Sequence, residues 1–284
     1  MKYIVIIMMF CASIKMSAAT RVTYTQIDSI LVVNLLEEAK NVYKGDNLVM
    51  HFARKFTDIP YVAHTLEVNE KEQLVVNLRE LDCTTYVETV LALALTAKEG
   101  KTSFADYCAN LTKIRYRHGR LEDYSSRLHY FTMWIEDNVE MGIVSEIASD
   151  KALFSAEQTV SATYMTTHSD KYKMLAGDTA MISKIALMEK HINGKKHPYL
   201  PINNIRNTWS LKNAIQDGDV IAIVTNKKGL EISHLGFAVW RWDGLHLLNA
   251  SSIHHKVIEE PMTLRKYLVG RKTALGVRVL RLSL

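Results

Sequence analysis

Apolar and polar positions change period along this chain, from helical spacing in its first half to strand-like runs near its end. Between residues 20 and 60, Ile27, Leu31 and Leu35 recur on one helical face. Val49, Phe52, Ala53 and Phe56 recur on another, and Lys44-Gly45-Asp46-Asn47 breaks the two apart. Ile59-Pro60-Tyr61-Val62 reads as extended, because the residue before a proline avoids the α region. Leu74, Val75, Val76 and Leu78 form a second extended run. It gives way to a helix with Val87, Val90, Leu91, Ala94 and Leu95 on one side and Asp82 as its N-cap. Phe104, Tyr107, Cys108 and Leu111 mark a further helix, and residues 129 to 138 another. Residues 145 to 215 are polar and weakly periodic, which predicts loops and short helices laid over the domain and across a cleft.

From residue 218 the pattern is that of strands. Gly218-Asp219 introduces Val220 to Thr225, Ser233 to Arg241 follows, and Asp243-Gly244 is a hairpin signal before Leu245 to Ala250. Val257-Ile258 and Gly276 to Leu282 complete an antiparallel sheet. Helices first and a meander last is an α+β order rather than an alternating one.

Residues 1–19 stand apart. Lys2 precedes an apolar segment from Tyr3 to Ile14, and Ser17-Ala18-Ala19 supplies small residues at a cleavage site, so the chain is expected to be exported to the periplasm or the extracellular space. The apolar run is too short to span a bilayer, so no membrane association is expected after cleavage. Cys11 inside it follows Phe10, which does not suit lipidation. Cleavage after Ala19 takes Lys2 and Lys15 from a net charge of +5 and leaves +3, too mild to suggest a nucleic-acid partner. With 48% apolar and 23% charged residues the remainder has an ordinary globular composition. Residues 20–58 read as a helical segment packed on a main domain at 59–284, with 100–215 as its elaboration.

The two other cysteines, Cys83 and Cys108, are read as free thiols, Cys108 a small core residue and Cys83 in the first turn of its helix. There the unpaired N–H groups and the macrodipole favour a thiolate. A nucleophile needs a base, and His234 opens the second predicted strand. Asn249, on the returning strand, falls on the same face, although the register sets the two apart diagonally and a bulge or longer loop is needed to join them. A thiol, an imidazole and a polar residue that orients it perform acyl transfer through a thioester. The backbone N–H of Cys83, with another donor, would stabilise the oxyanion. Each residue also has a plain reading: Cys83 as a structural thiol, His234 as a core histidine, Asn249 as a strand-edge residue with Ser251 or His246 in its place, Asp82 as only a cap. Arg115, Arg117 and Arg120 suggest either an anion site or a solvated loop. His246, His254 and His255 lack the spacing of a zinc site, so no metal is expected.

The order of these pieces resembles the NlpC/p60 superfamily of papain-like cell-wall hydrolases. Its Asp-Cys pair at a helix start, its Ser/Thr-His-Val/Leu-Gly strand and its His/Asn-Ala-Ser-Ser segment stand here as Leu81-Asp82-Cys83-Thr84, Ser233-His234-Leu235-Gly236 and Asn249-Ala250-Ser251-Ser252. Pro60-Tyr61-Val62 matches its upstream motif, although His64 stands where Gly is usual. Leu74 to Thr85 looks like the N-acetylmuramoyl-L-alanine amidase-like branch. The resemblance implies a papain-like α+β core with its Cys at a helix N-terminus on an antiparallel sheet, and Cys83, His234 and Asn249 as nucleophile, base and third member. It implies Tyr61, Asp82 and Ser233 beside the substrate, no cofactor, and hydrolysis of the amide between N-acetylmuramic acid and L-alanine in small muropeptides. Two alternatives stay open: an endopeptidase cutting stem peptides between D-glutamate and a diamino acid, and a cell-wall binding module that does no chemistry.

Overall fold

The computed structural model describes residues 21–42 and 45–283, so the leader reading of residues 1–19, with Cys11, lies outside the described residues. A short parallel pair, β1 (Val22–Thr23) with β2 (Leu74–Val75), ties the start of the described chain to the run that precedes Cys83. Between them lie α1 (Gln26–Ala39) and α2 (Leu48–Lys55), which pack on α3 (Cys83–Lys98). Apolar on nearly every side, α3 is the central helix: Tyr86, Val87, Val90, Leu91, Ala92, Leu93 and Ala94 are all fully buried. α4 (Phe104–Arg115) runs alongside it, and α5 (Phe131–Glu140) follows.

One ion pair locks α3 to α4 inside this core. Arg115 Nε donates to Glu88 Oε2 at 2.7 Å, and Arg115 Nη1 donates to the Val75 carbonyl at 2.7 Å, which joins β2 to both helices. Arg115 is thus structural, and the anion reading of the Arg115–Arg120 stretch is overturned for this residue. Arg117 and Arg120 line a cavity that also holds Glu122, Asp123, Glu136, Asp137 and Glu140, so the carboxylates outnumber the cations there.

The rest of the chain builds an eight-stranded sheet. Its elements are β3 (Val144–Glu146), β4 (Ala156–Thr159), α6 (Tyr164–Thr167), α7 (Thr179–Ile192), β5 (Lys196–Pro201), α8 (Trp209–Ala214), β6 (Val220–Thr225), β7 (Ile232–Arg241), β8 (Gly244–Ser251), β9 (Lys256–Glu259), α9 (Leu264–Val269) and β10 (Ala274–Leu282). The order is β4-β5-β10-β6-β7-β8-β9, antiparallel throughout, with β3 on the far end of β10. Strands β6 to β9 form the predicted meander, and β10 returns to the open side of β6. On one face Val220, Leu235, Phe237, Leu248 and Ala250 join the core of α1 to α5. On the other, Ile221, Ile223, Ala238 and Leu247 meet α8 and α9. Helices packed on an antiparallel sheet make this an α+β fold.

Two sequence expectations are corrected. The 145–215 region holds three strands and a 14-residue helix as well as loops. Its strands were hidden because Ala156–Thr159 is polar and Lys196–Pro201 carries two prolines, so pairing rests on backbone groups rather than on apolar alternation. The face of α1 is also displaced: Ile27 is 59% and Leu31 37% exposed, whereas Asp28, Val32, Leu36 and Ala39 are buried. Asp28 sets that rotation. Its carboxylate completes a capping box with Thr25, accepts the Leu78 N–H at 3.0 Å and pairs with Arg79.

Candidate active site

The site begins at the first turn of α3. Asp82 accepts the Thr85 N–H at 2.8 Å, and the Thr85 hydroxyl accepts the Asp82 N–H at 2.9 Å, a capping box that fixes where the helix starts. Cys83 is the next residue. It is free and partly exposed as a residue, while its thiol lies deep among protein atoms. Polar groups of Leu235, the residue after His234, and of Thr84 act on that sulfur and favour its anion.

The helix start taken alone favours an anionic sulfur. Here desolvation wins: burial first, then the neighbouring Asp82 charge, push the thiol up to about 12 against the donors that pull it down. Burial also lowers the basicity of His234, with Arg271 adding to this, while the Asn249 bond, Glu260 and Asp82 oppose it. At neutral pH the resting pair is therefore a thiol and a neutral imidazole.

His234 reaches Asn249 without any break in the β7–β8 ladder. The register pairs Phe237 with Leu248 and Arg241 with Gly244, which sets Asn249 opposite Gly236, two residues along from His234. The bulge or longer loop expected between the two is thus not needed; a bulge does occur on the other side of β7, where Ile223 and Val224 face His234 and Ile232 and Ser233 is the extra residue. The diagonal is then closed by His234 Nε2 and Asn249 Oδ1 at 2.8 Å. Gly236 makes room for it, since a Cβ there would stand 2.9 Å from Asn249 Cβ and 2.7 Å from the Leu248 carbonyl. Asn249 Nδ2 is committed to the Ile258 carbonyl at 3.3 Å and to Glu260 Oε1 at 3.1 Å. Its oxygen therefore faces the ring, so Nε2 carries the proton and Nδ1 is left as the basic nitrogen.

The remaining predicted residues separate. Tyr61 bridges to Leu81 by its backbone, and burial, then the Cys83 and Asp82 charges, raise its hydroxyl to about 12. Asp82 acts electrostatically on Tyr61, Cys83 and His234 together. Ser233 is exposed at the bulge, its hydroxyl 3.4 Å from the Ile223 carbonyl. His246 is removed as a stand-in orienter: its ring nitrogens meet the Glu260 carbonyl and Asp243, both at 2.9 Å. His64 has φ of +63°, the left-handed conformation that explains why a glycine suits this place.

Three neighbours escaped the sequence reading. Glu260 lies just beyond β9 and is buried. Tyr267 of α9 is raised to about 12 by burial, with Arg271 opposing and Glu260 and Cys83 adding to it. The Arg271 guanidinium sits 3.2 Å from the centre of the Tyr267 ring. The only trace of Glu260 in the sequence is its position after Val257-Ile258, on the strand that neighbours Asn249.

Residues 51–274, which contain every residue of this site, match the N-acetylmuramoyl-L-alanine amidase-like (AmiA-like) family. The chain belongs to that family. An N-acetylmuramoyl-L-alanine amidase from Bacteroides uniformis is 38% identical, with a TM-score of 0.77 over 83% of this chain and 97% of its own. A Bacteroides fragilis protein described as a xylanase is 39% identical, with a TM-score of 0.75 over 81% of this chain and 98% of its own. A Legionella pneumophila protein, 23% identical, shares the fold with a TM-score of 0.66 over 89% and 94% of the two chains. No curated protein matches the sequence.

For this amidase-like protein the buried thiol sets a measurable pH dependence. The rate of alkylation of Cys83 by iodoacetamide is expected to rise about tenfold per pH unit from 7 to 10 and to be still climbing where an ordinary cysteine, with a pKa of about 8.5, has levelled off. A plateau below pH 8 would show a preformed thiolate instead. Slow labelling at neutral pH is thus no mark of an inert site.

Proposed function

We propose that this protein is an exported cysteine amidase of papain-like, NlpC/p60 type that hydrolyses the amide between the lactyl group of N-acetylmuramic acid and L-alanine in small peptidoglycan fragments. The observation that carries the mechanism is the fixed orientation of His234 by Asn249, on the strand that packs against the helix begun by Cys83. Membership of an amidase-like family supports the reaction class.

In this reading His234 Nδ1 takes the thiol proton as Cys83 Sγ attacks the lactyl carbonyl carbon. The C–N bond breaks as the imidazolium returns that proton to the leaving alanine nitrogen. Water, activated by the same nitrogen, then cleaves the thioester and regenerates the thiol. The backbone N–H of Cys83 at the open start of α3 faces the oxyanion. Tyr61 and Asp82 line the substrate side of the thiol, with Ser233 at the exposed bulge. The leader-like residues 1–19 support export.

A glycosidase reading, raised by the name of the B. fragilis protein, requires two carboxylates flanking a sugar linkage. Around Cys83 and His234, Asp82 is committed to its helix cap and Glu260 to Asn249, which leaves no such pair there among the described residues. The test is mass-spectrometric product analysis of a muramoyl-L-alanyl peptide beside the free stem peptide. Release of the intact peptide from muramic acid is the expected result. Cleavage of the stem peptide alone, after D-glutamate, would replace the amidase by an endopeptidase.

A further inference from the structure

An asparagine orients a histidine only if something orients the asparagine, because the two ends of its amide nearly match in shape. A rotated Asn249 would present Nδ2 to His234 Nε2 and force the proton onto Nδ1, the nitrogen needed as base. The structure opposes that rotation with two acceptors at the Nδ2 end, the Ile258 carbonyl and Glu260 Oε1. Glu260 is itself firmly held. It is 1% exposed, its N–H donates to the Leu247 carbonyl at 2.8 Å, and its own carbonyl meets His246 Nδ1.

The setting of this carboxylate is costly for a purely structural group. Among the described residues no lysine or arginine pairs with Glu260. Its second oxygen has only His254 Nε2, 3.4 Å away on a more exposed side chain. A buried carboxylate without a strong cation partner loses hydration that its bonds only partly replace. Among the described residues the amide of Asn249 is its one close side-chain donor, and Asn249 in turn has His234 as its one side-chain partner besides Glu260.

We propose that Glu260 is a positioning residue, the outer member of a relay Glu260–Asn249–His234 that fixes the imidazole tautomer. The inference rests on the reading of His234 as the base. A negative charge one hydrogen-bonded residue away also favours the imidazolium that forms when Cys83 gives up its proton. The charged groups that face His234 are Glu260 and Asp82, which favour its protonated form, and Arg271, which disfavours it. The titratable groups around Glu260 are His254 and Tyr267, with Asn249 as the amide contact.

Two variants of the full chain test this, Glu260→Leu and Glu260→Gln, read by kcat, KM and pH profile on the muramoyl-L-alanyl peptide and by the ¹⁵N shifts of the His234 ring nitrogens. For Glu260→Leu we expect kcat to fall by about tenfold to a hundredfold with KM changed less than about threefold. We also expect signal from the Nδ1–H tautomer to appear. Glu260→Gln keeps an acceptor and loses the charge. It should retain more activity and shift the acidic limb of the profile to lower pH, since less proton affinity remains at His234. A folded Glu260→Leu variant with wild-type kcat, limb and ring shifts would overturn the relay. So would losses of kcat that merely follow loss of folded protein, with the ring shifts of the folded fraction unchanged. If the wild-type protein does not cleave the substrate, the amidase reading fails while the ring nitrogens still decide the role of Glu260.

Discussion

Cys83→Ala is expected to abolish hydrolysis of a muramoyl-L-alanyl substrate, by about four to six orders of magnitude in kcat, while leaving the fold in place. The size follows from the chemistry: without sulfur there is no thioester, and what remains is binding and whatever polarisation the site gives the carbonyl. The fold should tolerate the change because α3 starts from the Asp82–Thr85 capping box and is held by residues from Tyr86 onward, none of which depends on the thiol. His234→Ala should cost nearly as much, and the double variant no more than either single one, because nucleophile and base act in the same step. The measurement is single-turnover kinetics beside circular dichroism and thermal unfolding. Activity retained by a folded Cys83→Ala variant would remove the nucleophile. Losses that multiply in the double variant would mean that the two residues work in separate steps.

Glu88→Ala is expected to produce the largest loss of stability, about 3–5 kcal/mol, seen as a lower urea midpoint. The reason is what it leaves behind rather than what it removes. Arg115 is 2% exposed, and without Glu88 its guanidinium keeps only the Val75 carbonyl in an apolar core. Glu88→Leu combined with Arg115→Met should therefore recover much of the loss, since no uncompensated charge remains. A cost below about 1 kcal/mol for Glu88→Ala would show that water reaches the guanidinium and that α3 and α4 are not anchored there.

The site was readable in the sequence where local chemistry decides geometry, and obscure where distant chain does. Asp82 before an apolar helical run announces the start of α3 and so the place of Cys83. Val220–Thr225 and its successors carry enough β-branched and apolar residues to be seen as strands, and Asp243-Gly244 marks their turn. The diagonal between His234 and Asn249 looks like a difficulty in the sequence, yet the structure spans it directly across an unbroken ladder, with room made by the missing side chain of Gly236. Glu260 could not be found in this way, because its meaning comes from an amide brought to it by a strand pairing. The state of the Cys83 thiol is hard to read for a related reason: helix position is local and legible, whereas the burial that outweighs it comes from packing against distant chain. The rotation of α1 was hidden by a polar residue, Asp28, which is buried because Leu78 and Arg79 come to meet it.

The place of β10 between β5 and β6 has a bearing on how the molecule matures. Sequence neighbours form β6 to β9, so that unit can assemble early, but it does so with the outer hydrogen-bonding edge of Val220–Thr225 bare. Residues 274–282 must arrive to cover it, across a loop closure of some fifty positions from β6. Without them, the sheet bearing the imidazole would end on an unpaired border that invites intermolecular pairing. A chain cut short before residue 274 is therefore expected to be lost to aggregation as protein concentration rises.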